Sequence, residues 1–228
     1  MTLKAVFFDL DGTLFDTADD LGNALNNVLQ QHGRQPLALQ QIRAVVSDGA
    51  NALLQFGFKL QPEAENFSQL RSELLQNYLQ NIATHTRPFP GINELIGNIA
   101  QHQRMWGIVT NKPWVYTEAL LNKFSFAENP VAVICPDHVT EKKPAPEALI
   151  LACQQANCHV SEAIYVGDHV RDIECGKRAG VQATISAGYG YIASGEDATR
   201  WDADWHVESS EQLWPIIRQY CATPSDKK

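Results

Sequence analysis

The chain has 228 residues, enough for one α/β domain or for a domain carrying an insertion, and either buries a substantial core. A formal net charge of −8 argues against non-specific binding to nucleic acid or to an anionic membrane, but not against an anionic ligand at a local positive site. Five cysteines, an odd number with no Cys-x-x-Cys pair, argue against a zinc knuckle or a thioredoxin-like motif and suit reduced thiols.

The N-terminal residues lack the charged-then-apolar pattern of an export signal, and no apolar run approaches ~18 residues, so the expectation is a cytoplasmic protein without a membrane span. Ala5–Phe8 is a short Val/Phe-rich run with no alternation, as in a strand buried on both faces of a parallel sheet. It runs into Asp9 and Asp11, followed by Gly12 and Thr13. Two acids so close at a strand end are costly unless a positive group sits between them, and a divalent hard cation with oxygen ligands answers that cost. A turn or helix cap is the alternative for either acid alone. An EF-hand loop is not, because its glycine falls further along and it needs a closing Glu.

Helical periodicity follows for about seventy residues. Thr17 and Asp20 have the spacing of a capping box, ahead of a stripe of Leu21, Leu25, Val28 and Leu29 that His32-Gly33 ends. A second stripe takes in Leu39, Ile42, Val45 and Val46 and breaks at Ser47-Asp48-Gly49. A short helix over 52–56 and a long stripe from Phe67 to Ile82 complete a bundle with no strand in it. Arg87–Gly91 is turn chemistry, a linker back to the first unit.

From there β and α alternate. Strands are predicted over 105–110, 131–135, 163–166 and 181–185, with a weak one near 203–207. Helices are predicted around 92–99, after Pro113, over 147–156 and 170–179, and from about Ser210; Gly180 suits a left-handed cap, and the last half-dozen residues are expected to fray. The expected fold class is α/β, a doubly wound parallel sheet. Residues 1–15 and 86–228 would form a Rossmann-like core, and 16–85 an inserted helical domain after the first strand.

Four strand ends of this sheet offer polar side chains: Asp9, Asp11 and Thr13; Thr110 and Asn111; Lys143 in Lys142-Lys143-Pro144-Ala145-Pro146; and Gly167-Asp168 with Asp172 one turn later. Singly, Thr110 reads as a strand-end cap, Lys143 as a solvated lysine and Asp168 as an N-cap. Together, at the carboxyl ends of one sheet, they form a ligand site.

In order and spacing this set resembles the haloacid dehalogenase superfamily. The resemblance rests on Asp-Leu-Asp-Gly-Thr at 9–13, Thr110, Lys143-Pro-x-Pro and Gly-Asp-x-x-x-Asp at 167–172, and the helical insert sits where the superfamily's small α-helical cap sits. It implies a Mg²⁺-dependent phosphatase. Asp9 would be the nucleophile, forming an aspartyl-phosphate, and Asp11 the acid and base. Mg²⁺ would bind Asp9, the Asp11 backbone carbonyl and Asp168; Lys143 would neutralise phosphoryl charge, with Asp172 orienting it or a metal-bound water. Thr13, Thr110 and the Asn111 N–H would hold phosphate. Ser47, Asp48 and Gly49 would form a specificity loop, with Lys112 and Arg171 meeting a substrate carboxylate.

Within the superfamily the chain looks most like the phosphoglycolate phosphatases. Thr110-Asn-Lys-Pro113, Cys135-Pro-Asp-His-Val139 and Val170-Arg-Asp-Ile-Glu174 look like the bacterial branch acting on N-acetylmuramic acid 6-phosphate in cell-wall recycling. A small carboxylated phosphate ester is therefore the expected partner, with no nucleic acid and no membrane, and a monomer or homodimer the expected state. The rivals are a β-phosphoglucomutase-like isomerase, a phospho-signalling receiver domain, whose acceptor Asp lies on an internal strand, and a silent phospho-ligand binder on the same fold.

Overall fold

The computed structural model describes residues 2–221; the predicted fraying of the last half-dozen residues lies outside them. In chain order, β1 is Ala5–Phe8 and β2 Phe15–Asp16. Four helices follow: α1 Ala18–Gln31, α2 Leu39–Arg43, α3 Gly49–Phe58 and α4 Phe67–Gln80. The chain returns through β3, Arg87–Pro88, to α5 Ile92–Gln101, β4 Met105–Val109, α6 Trp114–Leu121 and β5 Val133–Ile134. It closes with α7 Glu147–Gln155, β6 Ala163–Gly167, α8 Val170–Ala179, β7 Ala183–Ala187, β8 Trp205–Val207 and α9 Leu213–Cys221.

Six strands form a parallel sheet in the order β5-β4-β1-β6-β7-β8. The chain adds strands on one side of β1, then crosses to the other. The switch point of this doubly wound sheet is therefore the crevice between β1 and β6, where ligands of such sheets bind. Every residue of β1 is fully buried because the strand is covered on both sides. Val6 and Phe8 pack with Ile96, Ile99 and Leu213 of α5 and α9, while Ala5 and Phe7 pack with Leu149, Ala152 and Cys175 of α7 and α8. The helical insert has a core of its own, built on Leu25, Val28, Leu54, Leu70 and Leu74.

Several local expectations are corrected. Thr17 and Asp20 form no capping box. The Thr17 hydroxyl donates to Asp11, and Asp20 accepts from the backbone of His85 and Thr86, because both side chains find partners across the junction between insert and sheet. The stretch around Arg87 is more than a linker: β3 pairs antiparallel with β2, so a two-stranded ribbon joins insert and core. The second helix of the insert stops at Arg43, and Val46–Asp48 forms a tight 3₁₀ turn that presents the Ser47-Asp48-Gly49 loop. Strand β7 starts later than predicted because Val181 is used by the helix before it: its N–H bonds the Gly176 carbonyl, closing α8 behind the left-handed Gly180. Of the predicted 131–135 strand, Val133–Ile134 forms the regular edge strand, and the Val131 N–H and Ala132 carbonyl also bond Trp106 and Ile108 of β4. The final helix is preceded by a 3₁₀ turn over Ser210–Gln212. No helix among the described residues is long and apolar enough to cross a membrane.

Candidate active site

The first acid is delivered by the central strand. The Asp9 N–H bonds the Val166 carbonyl of β6, continuing the sheet ladder one residue past β1. Its carboxylate, 5% exposed, accepts from the Leu10 N–H at 2.7 Å and meets the Lys143 ammonium at 3.0 Å, both on Oδ1. Burial alone would disfavour the anion; Lys143 first, then Arg171 and the Leu10 N–H, outweigh it and hold Asp9 below the usual carboxylate range.

Lys143 is itself wholly enclosed, and its ammonium is ringed by oxygen. It contacts Asp9 at 3.0 Å, Asp172 at 2.7 Å, the Val109 carbonyl at 2.9 Å and the Tyr165 hydroxyl at 2.9 Å. Burial disfavours its charge, yet Asp172 and Asp9 raise its pKa, so it stays a cation. Its backbone is clamped by the Asn111 side chain, which both donates to the Lys143 carbonyl and accepts from the Lys143 N–H at 3.1 Å. Strand β4 and the Lys-Pro-x-Pro loop are thereby locked together.

Asp168 and Asp172 come from the end of β6 and the first turn of α8. The Asp168 carboxylate accepts from the Thr13 hydroxyl at 3.1 Å and the Tyr191 N–H at 2.8 Å. Thr13, expected at the phosphate, is fully buried with its hydroxyl committed to Asp168. Asp172 accepts from the N–H of His169, the residue that starts α8, so the N-cap is His169 rather than Asp168. Close packing here needs glycine: a Cβ on Gly167 would lie 2.3 Å from that of Asp172, and one on Gly12, at φ +79°, 2.0 Å from Asp168 Oδ2.

Asp9, Asp168 and Asp172 each offer an oxygen, all within 4.8 Å of one another. Burial first, then the charges of Asp9 and Asp172, push Asp168 well above the ordinary carboxylate range. Three buried acids around one lysine leave negative charge uncompensated, the condition a divalent oxygen-liganded cation relieves.

Asp11 sits apart from that cluster. Its carboxylate accepts from the Thr17 hydroxyl at 2.7 Å and from Lys112 at 3.0 and 3.1 Å. Lys112 also donates to the Tyr78 hydroxyl at 2.8 Å and lies 4.6 Å from that ring's centre. Burial opposes the Lys112 charge, but Asp11 and Tyr78 raise its pKa. Burial likewise pushes the Tyr78 phenol up to about 12. Helix α4 of the insert thus reaches the second acid through one lysine. Thr110, 3% exposed, accepts from the Lys112 N–H at 3.2 Å.

These groups face a cavity of about 370 Å³ between sheet and insert, with Asp9, Asp11, Thr110, Asn111 and Lys112 on its sheet side. Ser47, Asp48 and Gly49 line the insert side, so the structure brings them to the site. The Ser47 carbonyl accepts from Arg171 at 2.7 Å, and Asp48 lies 3.8 Å from His169. Residues missed at the sequence level are mostly tyrosines. Tyr165 holds Lys143, Tyr78 holds Lys112, and the Tyr191 hydroxyl accepts from the N–H groups of Thr17 and Ala18 at 2.5 and 3.0 Å. Since the Tyr191 N–H binds Asp168, one residue touches both the cation-type cluster and the entry to the insert. The Gly/Tyr-rich composition of 188–191 is the one sequence signal that marks this loop.

Comparisons with known proteins identify the family and the fold. A model of haloacid dehalogenase-like hydrolases matches residues 6–185. The N-acetylmuramic acid 6-phosphate phosphatase of Pseudomonas putida is 40% identical over 217 residues, 95% of this chain and 97% of that protein. The phosphoglycolate phosphatase of Xanthomonas campestris is 34% identical over 211 residues, 92% and 95% of the two chains. Among solved structures, a Haemophilus somnus protein described as a predicted phosphoglycolate phosphatase superposes with a TM-score of 0.81 at 22% identity, covering 95% of this chain and 98% of its own. With the family model spanning well over half of the sequence and the catalytic-type residues gathered at the switch point of the sheet, this chain belongs to the haloacid dehalogenase-like hydrolases.

Proposed function

We propose that the protein is a Mg²⁺-dependent phosphomonoesterase that hydrolyses N-acetylmuramic acid 6-phosphate through an aspartyl-phosphate on Asp9. The observation that carries this reading is the arrangement at the end of β1. Asp9 is buried, held below the usual carboxylate range, and fixed through Oδ1 by Leu10 and Lys143, leaving Oδ2 to attack. In the first step the new bond runs from Asp9 to phosphorus while the bond from phosphorus to the sugar oxygen breaks, and Asp11 delivers a proton to that oxygen. In the second, Asp11 takes a proton from water, whose oxygen displaces Asp9 and releases inorganic phosphate.

Lys143 stays charged beside Asp9 and neutralises phosphoryl oxygens as charge develops there. Thr110 and the Asn111 N–H hold those oxygens from the end of β4. The buried acid cluster fits Mg²⁺, which Asp9, Asp168 and the Asp11 carbonyl would hold, with Asp172 set back against Lys143. Bound there, Mg²⁺ supplies further neutralisation of the phosphate. Residues 16–85 act as a cap that encloses substrate and opens to release product. The enzyme works as a monomer or homodimer in the cytoplasm.

Two observations favour the sugar phosphate over 2-phosphoglycolate. The cavity of about 370 Å³ is of small-ligand size, and a sugar ester of roughly two dozen heavy atoms uses it far better than a two-carbon acid. The relatives named for the sugar phosphate are also more similar, at 40% against 34% identity.

Phosphate release with Mg²⁺ from N-acetylmuramic acid 6-phosphate, 2-phosphoglycolate, glucose 6-phosphate and an aryl phosphate tests this. The expected result is a preference for the muramic acid ester of about 100-fold in kcat/KM, or about 2.7 kcal/mol. Asp9→Asn should abolish turnover while circular dichroism stays unchanged; a turning-over Asp9→Asn enzyme sinks the mechanism. Activity that requires a sugar bisphosphate would make the protein a mutase.

A further inference from the structure

The cations around the cavity differ in what they are already bound to. Lys143 is enclosed by Asp9 and Asp172, and Lys112 is spent on Asp11 and Tyr78. Arg171, in the first turn of α8 and three residues past Asp168, donates to the Ser47 carbonyl, which puts it at the phosphate end. Arg71 is different. It lines the cavity from α4, and its hydrogen bond is from Nε to a neutral group, Asn51 Oδ1, at 2.9 Å. No carboxylate forms an ion pair with it among the described residues, although Asp48 lines the same cavity, so both Nη groups are open to an anionic ligand.

Its place on the helix supplies the second part of the argument. Arg71, Leu75 and Tyr78 all line the cavity, and their i, i+4, i+7 spacing puts them on one face of α4. Tyr78 marks the catalytic end of that face, since its hydroxyl touches the lysine that binds Asp11. At 1.5 Å rise per residue, Arg71 stands about 10 Å further along the axis, at the opposite end of the cavity. Between them Leu75 and Tyr78, with Leu21 and Tyr116 facing in, offer an apolar wall of the kind a sugar ring packs against. A carboxylate held by Arg71 must therefore be remote from the phosphate. In 2-phosphoglycolate only a methylene and an ester oxygen separate the two anions, whereas in the muramic acid ester a pyranose ring stands between phosphate and lactyl carboxylate.

We propose that Arg71, oriented by Asn51, is the carboxylate-recognition residue of the insert and reads the lactyl group of the sugar acid. This rests on the substrate reading given above. Two Nη groups remain for a carboxylate once Nε is committed to Asn51, which is the donor pair that a planar guanidinium presents and an ammonium does not. Lys112 and Arg171 then serve the phosphate end and not the carboxylate.

The test compares two substrates that differ only in the lactyl group, N-acetylmuramic acid 6-phosphate and N-acetylglucosamine 6-phosphate, as a ratio of kcat/KM. The wild-type enzyme should prefer the acid-bearing ester. Arg71→Ala should cut that ratio by about 10- to 100-fold, the range for losing a charge-assisted pair. Arg71→Lys should restore little of it, and Asn51→Ala should give an intermediate loss because the guanidinium is no longer held. Lys142→Ala, which removes the exposed cation on the sheet side of the same cavity, should leave the ratio as it is. A wild-type preference that survives Arg71→Ala overturns the assignment of Arg71 and leaves the substrate reading standing. A wild-type ratio near unity overturns both. Arg71 is exposed and outside the buried core of the insert, so loss of folding does not mask the result.

Discussion

Replacing Asp20 by Ala tests how insert and sheet are joined. Asp20 is 2% exposed on α1, and its carboxylate accepts three hydrogen bonds across the junction: from the His85 N–H at 2.8 Å, the Thr86 N–H at 3.0 Å and the Thr86 hydroxyl at 2.6 Å. Thr86 is fully buried and His85 exposed, so truncation strands two donors on Thr86 while the His85 N–H regains water. At about 1–3 kcal/mol for each buried unsatisfied donor, the cost should be near 3 kcal/mol. For a chain of this size that corresponds to a Tm lower by roughly 6–12 °C. Urea unfolding followed by fluorescence and circular dichroism measures the loss as a lower midpoint at constant slope. In a Thr86→Val background one stranded donor no longer exists, and the same Asp20→Ala change should cost about 1 kcal/mol less. A loss below 1 kcal/mol in the native background would refute the reasoning, since the two donors would then have found water or new partners.

Gly12→Ala should raise the Mg²⁺ concentration needed for half-maximal activity at least tenfold, because its Cβ would fall 2.0 Å from Asp168 Oδ2 at a backbone φ of +79°. Titration of activity against Mg²⁺ checks this, and an unchanged midpoint would show that Asp168 is not displaced. Burial raises the Cys135 thiol to about 11 and the Cys175 thiol to about 12, from an ordinary 9.0. Both should resist iodoacetamide at pH 8 in the native protein and react in urea. Above pH 9 the unfolded chain loses these protons while the folded one keeps them, so their contribution to stability is complete below pH 9 and falls as pH rises towards 11 and 12. Urea midpoints between pH 8 and 11 follow that decline.

The sequence by itself determined the sheet and the place of the chemistry. The unbroken apolar run before Asp9 could be read as a doubly covered strand because burial on both faces removes alternation, and β1 is buried throughout. The β/α alternation after Arg87 located the other strand ends to within a few residues, since the periods of helix and strand are local properties. Which neighbours hold each polar side chain was not legible. Thr17 and Asp20 carry the spacing of a capping box, but the groups that hold them come from the sheet side of the junction, and Thr17 meets Tyr191 from 174 residues away. Lys112 reads as a contact for a substrate carboxylate until Asp11 and Tyr78, 101 and 34 residues distant, are seen to close on it. Arg71 carries no motif at all; only the packing of α4 over the crevice puts it in the cavity, without an ion pair among the described residues. Burial pattern and turn chemistry are written in neighbouring residues, whereas the partner of a buried charge is set by strand order and by where the insert lands on the sheet, and those exist only once the chain has folded.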